Sequence, residues 1–196
     1  MIKAVIFDIG GVVIKFSNAE YYRYLSGESG VGNGRVRDII EDRELPLLEC
    51  GKIGIDKFNK YVASALKISM DKVRWFEYFK ETMEIDADVL ELVGILHEDY
   101  ITAYMTNIDA SRYKYTVRIL DSDSFDYRFT SFGIGIRKPS AGIYMNALKR
   151  MRVKPEETVF IDNQEDNIDG ARKLGINAIH FVGRRALDEE LAKLGL

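Results

Sequence analysis

Residues 4–13 read Ala4-Val5-Ile6-Phe7-Asp8-Ile9-Gly10-Gly11-Val12-Val13, and this stretch decides the fold. It opens as an apolar run of strand-forming residues bounded by glycines. That is the pattern of a strand buried on both faces in the middle of a parallel sheet. The run stops at a carboxylate: Asp8 sits where the strand should end, and Gly10-Gly11 turn the chain at once. In an open α/β sheet, ligands bind just outside the carboxyl ends of the strands, so an aspartate there is placed to meet a substrate or a metal. A turn aspartate that caps the loop backbone is the competing reading.

Further along, the same grammar recurs. Ile101 to Met105 is a second buried strand and ends in Thr106-Asn107; Thr158 to Ile161 is another and ends in Asp162-Asn163. Tyr127 to Phe132 and Asn177 to Val182 complete a set of five. Between them lie helical patterns: Val89, Leu90, Leu92, Val93 and Leu96 on one face, Ser111 to Leu120, a helix after Ser140, and Asn167 to Leu174 closed by Gly175. Strands alternating with helices predict a doubly wound, Rossmann-like α/β fold with a parallel sheet. Parallel strands put their carboxyl ends on one edge, so Asp8, Thr106 and Asp162 should converge there. Lys138, in a loop, can reach the same edge. A nucleophilic carboxylate, a hydroxyl, a cation and further acids are the set needed to hold and attack a phosphoryl group.

One segment breaks the alternation. From Asn18 to Met83 no strand is legible, and apolar residues recur at helical spacing: Val36, Ile39 and Ile40; Phe58, Val62 and Leu66; Val73, Phe76, Phe79 and Met83. Gly27 to Gly34 reads as a loop by composition. The expectation is a small helical bundle, residues 15–85, inserted into the first crossover of a core formed by residues 1–14 and 86–196. Its aromatics, Trp75 included, read as core.

Bulk properties remove other classes. A net charge of -3 with no basic stripe argues against a nucleic-acid partner. No apolar run approaches the roughly 20 residues of a membrane span, and the chain enters its first strand without a signal-peptide pattern. Cys50 is the only cysteine, which excludes an intrachain disulfide and cysteine-based zinc sites and fits the cytoplasm. No motif speaks to oligomeric state.

Taken together, the motifs resemble those of the haloacid dehalogenase-like (HAD) hydrolase superfamily, over nearly the whole chain. Phe7-Asp8-Ile9-Gly10-Gly11-Val12 resembles its first motif, Met105-Thr106-Asn107 the second, and Arg137-Lys138-Pro139 with Tyr144 the third. Val159-Phe160-Ile161-Asp162-Asn163 through Asn167, then Gly170-Ala171 and Leu174-Gly175, resembles the fourth. The helical insert resembles the family's α-helical cap. The resemblance implies a phosphatase of a small phosphorylated metabolite. Asp8 would be the nucleophile and form an aspartyl-phosphate, Thr106 and Asn107 would bind phosphoryl oxygens, and Lys138 would balance charge. It implies Mg²⁺ held by Asp8, the carbonyl of Gly10, Asp162 and Asn163.

Two positions depart from that pattern. Gly10 stands where the family's phosphatases carry a second aspartate as general acid and base. Asn163 stands where many relatives have an acidic metal ligand, and Asn167 also replaces a common acid; Asp162 or Asp166 is left to compensate. These departures keep two other readings open: a metal-independent dehalogenase-like hydrolase, and a non-catalytic domain that binds a phosphate ligand. Asp109 and Arg112 lie just after the second motif, within reach of a substrate, but read first as surface charge, and His97 and His180 read as structural.

Overall fold

The computed structural model describes residues 1–120 and 123–196. Its centre is a five-stranded sheet in the order β5-β4-β1-β6-β7. The strands are β1 (Ala4–Phe7), β4 (Ile101–Thr106), β5 (Tyr127–Thr130), β6 (Thr158–Asp162) and β7 (Asn177–His180), and all neighbouring pairs are parallel. The strand period of two explains the all-apolar runs. Val5, Phe7, Tyr104, Val159 and Ile161 face one core cluster, while Ala4, Ile6, Ala103, Met105 and Phe160 face the other. Helices α6 (Ala87–His97), α7 (Ala110–Leu120), α8 (Ser131–Ile134), α9 (Ala141–Met151), α10 (Glu165–Arg172) and α11 (Arg184–Lys193) supply the connections and close the chain.

Helices α1 (Asn18–Ser29), α2 (Asn33–Glu41), α3 (Glu44–Glu49), α4 (Ile55–Leu66) and α5 (Trp75–Thr82) pack around a third cluster of their own, with Tyr21, Leu25, Val36, Phe58, Val62 and Trp75 inside it. At the neck of this helical lobe, β2 (Ile14–Lys15) pairs antiparallel with β3 (Glu84–Ile85). Each strand is two residues long, too short to leave a periodic signal in sequence. Three local expectations are revised. Gly27 does not break α1, which runs to Ser29 and ends at the left-handed Gly30, so the linker is only 30–32. The strand over 127–132 stops at Thr130 and turns directly into α8, because Gly135 in the left-handed region allows a one-turn helix there. The helix read from Asn167 to Leu174 already starts at Glu165 and is over by Arg172. Among the described residues no helix is long and apolar enough to cross a membrane.

Candidate active site

Register puts the three strand-end groups side by side. Phe7 pairs with Tyr104 and Ile161, so Asp8 emerges between the ends of β4 and β6. Its N–H continues the ladder to the Ile161 carbonyl at 2.8 Å. Lys138 comes in from the loop before α9 and is buried, 1% exposed. Its ammonium contacts Asp8 Oδ1 at 2.8 Å, Asp162 Oδ2 at 2.6 Å and the Met105 carbonyl at 2.9 Å. Those are three acceptors for three protons. Asn107 fixes the loop reciprocally: Lys138 N–H donates to Asn107 Oδ1 at 2.9 Å, and Asn107 Nδ2 donates to the Lys138 carbonyl at 3.0 Å.

The two carboxylates are treated differently. Asp162 accepts from the Gln164 N–H at 2.8 Å and from Asn167 Nδ2 at 3.1 and 3.0 Å, besides Lys138. It is 0% exposed and does not line the cavity above the strand ends. Asp162, named from the sequence among the metal ligands, is therefore turned inward as the anchor of Lys138, and Asn167 serves that anchor. Asp8 does line the cavity. Lys138 and the Ile9 N–H both engage its Oδ1, so Oδ2 is the oxygen left for the cavity. Burial pushes the Asp8 carboxyl up to about 7, with Lys138 opposing and Asp162 adding to the rise. Lys138 is held above its ordinary value: burial alone would lower it, but Asp162 and Asp8 outweigh that. One cation between two buried carboxylates leaves a net negative charge, and Asp8 carries the strain of it.

The donors around Asp8 are hard oxygens. Asn163 Oδ1 is buried with no hydrogen-bond partner. Its side chain lies across Gly11, where an added Cβ would meet Asn163 Nδ2 at 2.2 Å and where φ is +85°. Residue 11 must be glycine for Asn163 to sit there. His180 Nε2 contacts the Asn163 carbonyl at 3.1 Å, which ties β7 to this loop. In the turn after β1, the N–H groups of Gly11, Val12 and Ile14 bond to Ile14, Ile9 and Ile9, and Gly10 stands at the cavity wall. Among the described residues no group of three or more Asp, Glu, His or Cys gathers around a possible ion. The orphaned Asn163 oxygen, Asp8 and the Gly10 wall still fit Mg²⁺, which binds through few protein oxygens plus water and phosphate. Thr106 is buried at the end of β4 and also lines the cavity, which measures about 580 Å³.

The model of the haloacid dehalogenase-like hydrolases matches residues 2–175. The chain belongs to that family. Among HAD relatives, a sesquiterpene phosphatase of Aspergillus oryzae is 27% identical over 98% of this chain and 96% of its own length. A D-ribitol-5-phosphate phosphatase of Bacteroides thetaiotaomicron is 24% identical over 89% of each. Among solved structures, a HAD-like hydrolase of Porphyromonas gingivalis superposes with a TM-score of 0.81 at 21% identity, covering 99% of this chain and 98% of that one. A HAD-family enzyme of B. thetaiotaomicron, solved with magnesium and inorganic phosphate, gives a TM-score of 0.74 at 21% identity over 94% and 96%.

In this HAD hydrolase, sequence reasoning missed a second buried cluster where the helical lobe meets the sheet. Asp109 and Arg112, expected at the surface, are 1% and 4% exposed. Arg112 Nε donates to Asp109 Oδ2 at 2.6 Å, and Arg112 Nη2 reaches Glu49 of α3 at 3.2 Å. Its guanidinium lies 4.3 Å from the Trp75 ring, and Trp75 Nε1 donates to Asp109 at 3.1 Å. Arg137 adds a second cation to Glu49 at 3.1 Å, and Ser131 Oγ donates to the Glu49 carbonyl at 2.6 Å. The one signal available in sequence was the spacing Asp109 to Arg112, three residues apart at a helix start. Burial comes from the lobe, which that spacing does not announce. Tyr144, which accompanies the third motif, is buried and donates to the Asn167 carbonyl at 2.8 Å.

Proposed function

We propose that this protein is a Mg²⁺-dependent phosphatase of a small phosphorylated metabolite, and that the helical lobe acts as a cap over the site. The observation that carries the reading is Asp8: a buried carboxylate at the sheet edge, tethered through one oxygen and open to the cavity through the other. In the proposed reaction Asp8 Oδ2 attacks phosphorus, the ester P–O bond breaks, and the leaving group departs with its electron pair. Water then attacks the aspartyl-phosphate, releasing phosphate and restoring Asp8. Thr106 Oγ–H and the N–H of Asn107 would donate to the phosphoryl oxygens. Lys138 has its protons committed, so it acts through its charge and by orienting Asp8. Asp8, the Gly10 carbonyl and Asn163 Oδ1 would hold Mg²⁺, which supplies charge neutralisation for the incoming phosphate. Gly10 has no side chain with which to protonate the leaving oxygen. Named relatives that act on ribitol 5-phosphate and glyceraldehyde 3-phosphate support the substrate class.

The test is a panel of phosphate esters assayed with and without Mg²⁺, with Asp8→Asn as the control. Metal-dependent phosphate release that disappears in Asp8→Asn supports the reading. Tight binding of phosphate ligands without turnover would favour the second reading, a binding domain, which Gly10 and Asn163 together motivate. Metal-independent release of halide from haloacids would favour the third.

A further inference from the structure

The lobe presents two polar stripes to the cavity. Asn33, Arg37 and Glu41 recur every four residues along α2 and line the cavity, beside the buried row of Val36 and Ile40. Asn18 and Tyr22 do the same from α1. The stripes are joined: Tyr22 Oη–H donates to Glu41 at 2.9 Å. Tyr22 is 2% exposed, so its ring is part of the lobe's core and its hydroxyl orients Glu41. Asn18 Oδ1 is buried with no hydrogen-bond partner. A buried acceptor without a donor is unfavourable unless a ligand or water satisfies it.

We infer that the leaving group received by this cavity is uncharged and polyhydroxylated, a polyol or sugar phosphate, and that Asn18, Asn33, Arg37 and Glu41 recognise its hydroxyls. The inference rests on the phosphatase reading. Two arguments select the class. First, the stripes mix acceptors and donors, and hydroxyls are the ligand groups that both donate and accept. An isoprenoid chain would strip water from these groups and return no hydrogen bonds. Second, the charges are matched. Arg37 lies 3.9 Å from Asp38 on its own helix, and Arg112 and Arg137 are both engaged by Glu49. A leaving group with its own carboxylate or second phosphate would meet Glu41 and Glu49, beside cations that each already have an acidic partner.

The experiment compares KM for four esters with the Mg²⁺-loaded enzyme: sorbitol 6-phosphate, farnesyl phosphate, 2-phosphoglycolate and p-nitrophenyl phosphate. KM is the readout because the missing acid at Gly10 weighs on kcat. Sorbitol 6-phosphate should have the lowest KM of the alkyl esters, by roughly ten-fold. Glu41→Ala and Asn33→Ala change exposed residues, and a thermal melt of each variant checks that it is folded. Each should raise KM for sorbitol 6-phosphate roughly ten-fold more than for p-nitrophenyl phosphate, with Glu41→Gln in between. A preference for farnesyl phosphate or phosphoglycolate, or equal effects on all esters, overturns the inference. If no ester is turned over, the phosphatase reading falls, and calorimetric titration of the same esters decides this one separately. Tighter binding of sorbitol 6-phosphate, weakened by Glu41→Ala, upholds it; equal or absent binding overturns it.

Discussion

Two buried cations in this molecule each lie between two carboxylates, with opposite consequences. Lys138 bridges Asp8 and Asp162 at 2.8 and 2.6 Å; Arg112 bridges Asp109 and Glu49 at 2.6 and 3.2 Å. Asp8 is pushed up to about 7 by its burial. Asp109 is equally hidden, yet although burial alone would raise it, Arg112 and the surrounding donors hold it below the ordinary range. The difference lies in the donors. Asp109 receives the N–H groups of Ser111 and Arg112 at 2.9 and 3.1 Å, Arg112 Nε at 2.6 Å and Trp75 Nε1 at 3.1 Å. Asp8 receives Lys138 and the Ile9 N–H, both on one oxygen. A carboxylate whose lone pairs are filled holds the lobe on the sheet. One left short of donors is ready to bond to something else.

The sharpest way to break this comparison is to neutralise each carboxylate. Asp8→Asn should lower turnover by roughly 10⁴-fold or more and leave the melting temperature unchanged or higher, since an amide beside Asp162 removes a like-charge repulsion. Asp109→Asn should keep turnover within about ten-fold while lowering stability, because the Arg112 and Trp75 donors lose their charged acceptor. Steady-state rates and thermal melts on both variants decide it. An active Asp8→Asn, or a stable but inactive Asp109→Asn, would erase the distinction.

Removing the cations should be costly for stability in both places. Lys138→Met and Arg112→Met each leave two carboxylates facing a missing partner, and about 3–5 kcal/mol is the expected loss. Arg112→Lys should not rescue the second, because a lysine lacks the planar fork that spans Asp109 and Glu49 while stacking on Trp75. Urea unfolding measures this, and a wild-type midpoint for Arg112→Lys would show that charge alone suffices.

Gly10→Asp sharpens the catalytic side. Gly10 lies outside the positive-φ region, and an added Cβ would meet nothing within 4 Å. The backbone there therefore accepts a Cβ, and proton transfer to the leaving oxygen is typically worth about 10²–10⁴-fold. Esters of ordinary alcohols should gain about 10²-fold, aryl phosphates much less, flattening a steep leaving-group dependence. A flat wild-type series would mean that another group already supplies the proton.

A smaller effect is expected at the metal. Asn163→Asp replaces a dipole with a full charge and should tighten Mg²⁺ roughly ten-fold, read by calorimetric titration. Unchanged affinity would mean that residue 163 does not face the ion.

The pH dependence of stability should separate the two carboxylates most gently. The folded Asp8 carboxyl lies above its unfolded value of 3.8, so the folded state binds more protons between 3.8 and about 7. Its contribution is fully present below 3.8 and is lost as pH rises toward 7. Asp109 has the opposite sign: its contribution is present above the unfolded value and lost on acidification. Unfolding midpoints of wild type minus Asp8→Asn, and of wild type minus Asp109→Asn, should therefore slope in opposite directions with pH. Parallel slopes would contradict the comparison.

Legibility followed the physics of each part. The strand runs around Val5, Tyr104 and Phe160 were readable because burial on both faces leaves no polar position to confuse the pattern. The β2–β3 pair was not, because two residues make no period. Asp8, Thr106 and Lys138 stood out because polar groups directly after apolar runs are unusual. Arg112 did not, because its burial is created by Trp75 and Glu49, which lie 37 and 63 residues away in the chain.

By itself, then, the sequence determined the alternation of strands and helices, the sheet edge on which Asp8, Thr106 and Asp162 would meet, and the family that those motifs resemble. Periodicity and strand direction are local properties, and parallel topology converts them into a shared edge without further information. Tertiary structure alone decided which carboxylate faces inward and which faces the cavity. It set Asn163 across Gly11 and turned a pair of apparent surface charges into the buried tie between lobe and sheet. It also set the polar stripes of α1 and α2 over Asp8. Those outcomes depend on donors brought from distant parts of the chain, and the charge state of a carboxylate is fixed by the donors around it and not by its neighbours in sequence.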